Sequence, residues 1–232
     1  MSLFSTTTIT CTNCEEKTDV EAAGSVNADR RPDLREAILD NSFQTLACPS
    51  CGETLRLEPM FNYLDVGSGL WLAAYPPRQL GEFVTLTETV RGLFDESYGP
   101  EATQSAQEVG AELTARLTFG WPAAREKVLL CQEGLDDVTI EMLKMDLLRR
   151  LPDVPLRPGI ELRVVGVSET ALDCVWTQID TEEVMQEFEV SRDLLAEIEN
   201  NAEAWAPLRA SLDKGMFVDM QKLFLDVDQD AA

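Results

Sequence analysis

Cys11-Thr12-Asn13-Cys14 and Cys48-Pro49-Ser50-Cys51-Gly52 decide the reading of this 232-residue chain, which contains no histidine. A Cys-x-x-Cys turn brings two sulfurs to one side of a tight loop. Two such turns together supply the four thiolates of a closed tetrahedral zinc site. Without imidazole, any transition-metal site must be built from thiolates and carboxylates, and His-dependent catalytic triads and His-rich zinc enzyme motifs are excluded. In the second turn, Pro49 pre-sets a turn backbone angle and Gly52 lets the chain leave with positive φ. The first turn, followed by Glu15, lacks both devices. Cys11, Cys14, Cys48 and Cys51 are the predicted ligands of one structural Zn²⁺ per chain, and no catalytic residue is assigned.

Two other readings of the four thiols stand beside this one. They can be unligated core residues, although two close pairs argue against that. They can also serve a cytosolic thiol-redox or metal-handling protein, since Cys48-Pro-Ser-Cys51 has the spacing of a redox dithiol whose first thiol is activated at a helix N-terminus. Here the motif runs into Gly52 and the extended Thr54-Leu-Arg-Leu57, which is not helical in pattern.

The formal charge is −23, from 42 acids and 19 bases, and a zinc held by four thiolates would add two more negative charges. Such a field repels phosphate backbones and anionic membrane surfaces. The expectation is a protein partner, no nucleic acid and no membrane. The same acidity also serves solubility or salt adaptation without any partner. Met1–Thr10 has no basic residues and no apolar core, so it is not a secretory signal. The longest apolar run, Leu70–Tyr75, is far below the ~20 residues a membrane span needs. A cytoplasmic location is expected, where paired Cys-x-x-Cys motifs hold metal more often than disulfides.

Acids outnumber bases by 11 to 5 in residues 1–77, 13 to 8 in 78–151 and 18 to 6 in 152–232. The Pro-rich Leu151–Gly159 stretch marks the predicted domain boundary, with a softer break at Pro76-Pro77. Phe4–Thr10, Thr18–Val26, Ser42–Ala47, Thr54–Pro59 and Gly69–Tyr75 read as strands or extended segments, and Pro32–Asn41 as a short helix. The middle segment reads as helical. Ala106, Val109, Leu113 and Leu117 form one stripe, a second helix follows Gly120-Trp-Pro122 to about Cys131, and Ile140, Leu143, Leu147 and Leu151 form a third behind Asp136 and Asp137. Ile160, Leu162 and Val164 then alternate, as do Leu172, Cys174 and Trp176, which predicts a hairpin. Ser191 suits the N-cap of a helix carrying Leu194, Leu195 and Ile198.

Weaker motifs are read as incidental. Ser211-Leu-Asp-Lys214 spells Ser-x-x-Lys without its companion motifs. Asp226, Asp228 and Asp230 alternate like the start of a calcium loop that lacks its later ligands. Gly67-Ser-Gly69 reads as a turn, Cys131 and Cys174 as core thiols, and Trp71, Trp121, Trp176 and Trp205 as scattered core aromatics.

The two cysteine pairs, their 33-residue spacer with Pro32-Asp-Leu-Arg-Glu36, and the Met60-Phe-Asn-Tyr-Leu64 and Leu70–Pro77 segments resemble the CpXC domain family, named for paired Cys-Pro-x-Cys motifs. Arg125-Glu-Lys-Val-Leu-Leu130 and Gly134-Leu-Asp-Asp137 are similar to its helical part. The chain departs from the pattern at Thr12, where Pro is usual, which loosens the turn without removing a ligand. The resemblance implies a CpXC-like domain over 8–150, with a zinc-ribbon-like β core at about 1–77 and a helical part at about 78–151. A smaller acidic α+β segment at 155–232 would follow, so the predicted fold class is α+β. The family carries no established biochemical activity. The resulting expectation is a non-enzymatic zinc-binding structural or interaction module.

Overall fold

Each cysteine pair turns out to be the turn of a β-hairpin. In the computed structural model, which describes residues 2–151, 155 and 157–229, strand β1 (Leu3–Thr10) enters the first pair. Strand β2 (Lys17–Asn27) leaves it, paired antiparallel from Thr10↔Lys17 to Leu3↔Ser25. After helix α1 (Pro32–Leu39), β3 (Thr45–Ala47) and β4 (Thr54–Arg56) flank the second pair as a two-stranded ribbon of their own. The expected Ser42–Ala47 strand is shorter because Asn41 (φ 67°) and Gln44 (φ 59°) hold left-handed turn conformations. The Gln44 side chain instead bonds the backbone of β2, accepting from Ala23 N–H (2.9 Å) and donating to the Glu21 carbonyl (3.1 Å).

Strands β5 (Phe61–Asp65), β6 (Leu70–Tyr75) and β7 (Thr114–Phe119) complete a five-stranded mixed sheet of order β1-β2-β5-β6-β7. Gly67-Ser-Gly69 is the β5–β6 turn, as the sequence suggests, and the Asp29 carboxylate accepts the Val66 and Gly67 N–H groups. Strand β6 is buried on both faces, and its period-2 alternation explains why the whole run is apolar. Leu70, Leu72 and Ala74 pack with Ile38 of α1 and with Trp121, Ala124 and Val128 of α4 (Trp121–Gln132). Trp71 and Ala73 face the other way, onto Phe83 and Val90 of α2 (Phe83–Tyr98).

The predicted helix through Ala106, Val109, Leu113 and Leu117 is corrected here. Helix α3 (Gln104–Ala111) stops, and Leu117 lies in β7, paired parallel with Ala73 of β6. Leu113, Ala115, Leu117 and Phe119 also alternate at period 2, and tertiary pairing beside β6 decides between the two periodicities.

Helix α5 (Asp137–Arg150) begins as read: Asp136 is its N-cap, accepting from Val138 N–H. The Ile160–Val164 and Leu172–Trp176 hairpin also forms, as β8 (Ile160–Val167) and β9 (Ala171–Gln178), and β10 (Val184–Ser191) adds a third strand. Ser191 caps α6 (Arg192–Asn200), accepting from Asp193 N–H at 3.2 Å. Helices α7 (Ala202–Leu212) and α8 (Lys222–Gln229) follow. Much of the Pro-rich stretch, and the Asp226, Asp228 and Asp230 side chains, lie outside the described residues. One apolar cluster joins Leu130, Ile140, Leu143 and Leu147 to Leu162, Leu172, Trp176, Leu195 and Val218, so α5 packs into the same core as the last third of the chain.

Threaded through that junction is a set of buried charges. Lys144 Nζ lies 2.8 Å from Glu126 and 2.9 Å from Glu141. Arg163 reaches Glu126 at 2.9 Å and Asp219 at 2.7 Å, and also pairs with Glu161. Lys127 joins Glu141 to Asp137, which Arg116 clamps with two bonds of 2.8 and 2.9 Å. Backbone N–H groups of Val164 and Met220 donate to Glu126 and Glu141. Burial opposes the charge on Glu126, yet Lys144, Arg163 and Lys127 outweigh it and hold its carboxyl below the usual range. For Glu141 and Glu161 burial wins and pushes the carboxyls up.

Candidate metal centre

The two knuckles share one backbone design. Cys11 N–H donates to the Glu16 carbonyl (2.8 Å) and Glu15 N–H to the Cys11 carbonyl (3.0 Å). In the second, Cys48 N–H donates to Glu53 (2.7 Å) and Gly52 N–H to Cys48 (2.9 Å). The residue after each second cysteine is left-handed, Glu15 at φ 60° and Gly52 at φ 76°. The first knuckle therefore adopts the same turn without Pro or Gly, at the cost of a non-glycine residue where a Cβ crowds the backbone.

This equivalence brings the hairpin tips face to face. Cys11 Sγ lies 3.7 Å from Cys51 Sγ, and Cys14 Sγ 3.6 Å from Cys48 Sγ. All four sulfurs fall within 4.8 Å of one another, close enough to hold a metal ion. Cys11 and Cys48 are buried against Leu55, with Ile9 and Leu46 packed alongside, while Cys14 and Cys51 are exposed. This apolar cluster is small and separate from the three larger ones.

Sulfurs this close cannot all be thiolates without a cation between them, and the thiols divide accordingly. The Glu53 backbone bond, helped by the Asn13 side chain, brings Cys51 down to about 6. At Cys14 the Glu16 backbone bond pulls the same way, but contacts with Cys51, Cys48 and Cys11 and partial desolvation push the thiol up to about 12. Asn13 of the first knuckle thus helps set the environment of a thiol in the second. Its position between two cysteines carries no pattern that would single it out in the sequence.

Cys131 and Cys174 stand apart from this cluster. Burial pushes Cys131 up to about 11 and Cys174 up to about 12, and Cys131 Sγ donates to the Ser68 carbonyl at 3.0 Å. Ser211 donates to the Pro207 carbonyl one helical turn back. Strand β4, leaving the second knuckle, is anchored through Arg56, which stacks 4.7 Å from the Trp121 ring and pairs with Glu182 beyond β9. The Trp121 indole donates to the Leu57 carbonyl at 2.7 Å.

Two hairpin turns closing a four-thiol cluster at one end of a mixed sheet define an α+β protein with a Cys-x-x-Cys pair module. Residues 9–144 match the family described as CpXC protein, more than half of the chain. The chain belongs to the CpXC family. It matches no curated protein and no solved structure.

Proposed function

We propose that Cys11, Cys14, Cys48 and Cys51 hold one Zn²⁺ as a structural centre, and that the protein is a non-enzymatic interaction module. The sulfur spacing carries this reading. A zinc ion with four Zn–S bonds of about 2.3 Å requires sulfurs about 3.8 Å apart, and the cross-knuckle distances are 3.7 and 3.6 Å. An all-thiolate set favours zinc over hard cations, and four protein ligands leave no position for a reactive water. When bound, the ion supplies neutralising charge and a cross-link between the β1–β2 and β3–β4 turns. The small apolar cluster there contributes little by itself, whereas metal binding in small zinc modules is folding free energy, about 10–16 kcal/mol.

The charge of −23 supports a protein partner over nucleic acid or an anionic membrane. Among the described residues no helix is long and apolar enough to cross a membrane. The thiol-redox alternative is disfavoured because Cys11 and Cys48 are buried and neither pair opens a helix. Alkylation of native protein followed by peptide mapping separates the two. A closed centre leaves all four cysteines unmodified until a chelator is added. Prompt labelling of Cys14 and Cys51 without chelator would overturn the reading.

A further inference from the structure

Strand β1 is an edge strand whose pairing with β2 is irregular only at its start, between Leu3 and Phe4, and regular from Phe4 to Thr10. It hydrogen-bonds only to β2, and its outer edge has no backbone partner among the described residues. Its residues, Leu3-Phe-Ser-Thr-Thr-Thr-Ile-Thr10, include no charge, proline or glycine. The other edges of the two larger sheets are covered or charged, and the β3–β4 ribbon is only three residues long. At β7, Leu117 N–H donates to the Met216 carbonyl; at β8, Val164 N–H donates to Glu126; β10 carries exposed Glu187 and Glu189. Exposed neutral edges are templates for strand addition. Leu3 and Phe4 at its start are also exposed, by 60% and 38%.

We propose that β1 pairs with β1 of a second copy of this chain, antiparallel about a two-fold axis normal to the sheet. Charge selects this occupant. A basic partner would be drawn by an acidic edge, whereas two chains of charge −23 can approach only where each is neutral, and β1 is such a segment. Symmetry restricts the register, because an antiparallel pair about that axis places one residue opposite itself. With Thr6 on the axis, Leu3 faces Ile9 of the other copy and Phe4 faces Thr8. That register sets Leu3 against Ile9, the two aliphatic residues of the strand, stacks Phe4 on the Thr8 methyl and leaves hydroxyl side chains facing each other at Ser5, Thr6 and Thr7. Placing Thr7 on the axis would set Leu3 against the metal-cluster residue Cys11 instead. The pairing does not depend on which metal the cysteines hold.

Sedimentation equilibrium on the full chain tests this across a concentration series at low and high salt. The expected result is a reversible monomer–dimer equilibrium that tightens as salt rises, since the two bodies repel and screening relieves it. Thr6→Lys should weaken the dimer at least about tenfold by placing like charges face to face. Within one chain the new ammonium gains Glu21, the cross-strand partner that Thr6 now hydrogen-bonds at 2.7 Å, so the fold is retained. Leu3→Lys, at an exposed position, is a second variant with the same expectation. Metal content and circular dichroism of both variants check that the hairpin is intact. A wild type that stays monomeric at every concentration overturns the proposal, and so does a dimer indifferent to both substitutions.

Discussion

Glu126→Gln tests whether the buried charges lock α4 to the last third of the chain. Glu126 is fully buried and accepts from Lys144 (2.8 Å), Arg163 (2.9 Å) and the Val164 backbone (2.6 Å). Glutamine preserves the shape and can still accept from Val164, but its amide N–H₂ group cannot neutralise two buried cations. Removing one partner from a buried ion pair costs about 3–5 kcal/mol. Lys144 keeps Glu141, and Arg163 keeps Glu161 and Asp219, which places the expected loss near the lower end, about 3 kcal/mol. With a urea m-value of about 2 kcal/mol/M, the midpoint should fall by about 1.5 M. The exposed Arg150–Glu197 pair provides the control, and Glu197→Gln should change stability by no more than about 0.5 kcal/mol. Equal small shifts for both substitutions would refute the claim that the network holds the two parts together.

Glu15→Gly relieves a left-handed non-glycine residue in the first knuckle and should stabilise the folded protein by up to about 1 kcal/mol; slower metal loss to a competing chelator would report it, and faster loss would contradict it. Asp137→Asn addresses pH dependence. Burial opposes the Asp137 charge, but Lys127 and Arg116 hold its carboxyl well below the usual range. Its contribution is therefore complete above the unfolded value near 4 and is lost as pH falls below it. The variant should be less stable at pH 7 and lose less on going from pH 4 to pH 2.5; parallel acid profiles in urea titrations would contradict this.

Elements bounded by strong local chemistry were legible in the sequence. Pro32 starts α1, Asp136 and Ser191 cap α5 and α6, and the cysteine pairs sit at hairpin turns. The stripe through Ala106, Val109, Leu113 and Leu117 was right for α3 and wrong at Leu117, because Val109, Leu113 and Leu117 satisfy both helical and strand periods and only the neighbouring β6 resolves them. The ion network was invisible for a related reason. Glu141 and Lys144 lie off the apolar stripe of α5, where charged side chains are ordinarily solvated, yet α5 is covered on that side too, by Glu126 of α4 and the Asp219–Met220 segment. At the candidate metal centre the convergence of the four sulfurs was legible from spacing alone. The left-handed Glu15 and the influence of Asn13 on the Cys51 thiol were not, because nothing in their identity demands either role.

The central claim is that four thiolates hold one zinc. Elemental analysis of the purified chain beside its Cys48→Ser/Cys51→Ser double variant tests it most directly. The account predicts one zinc per wild-type chain and none in the variant, since two remaining sulfurs cannot close the site. A wild type without zinc, or a double variant that keeps it, would contradict the account.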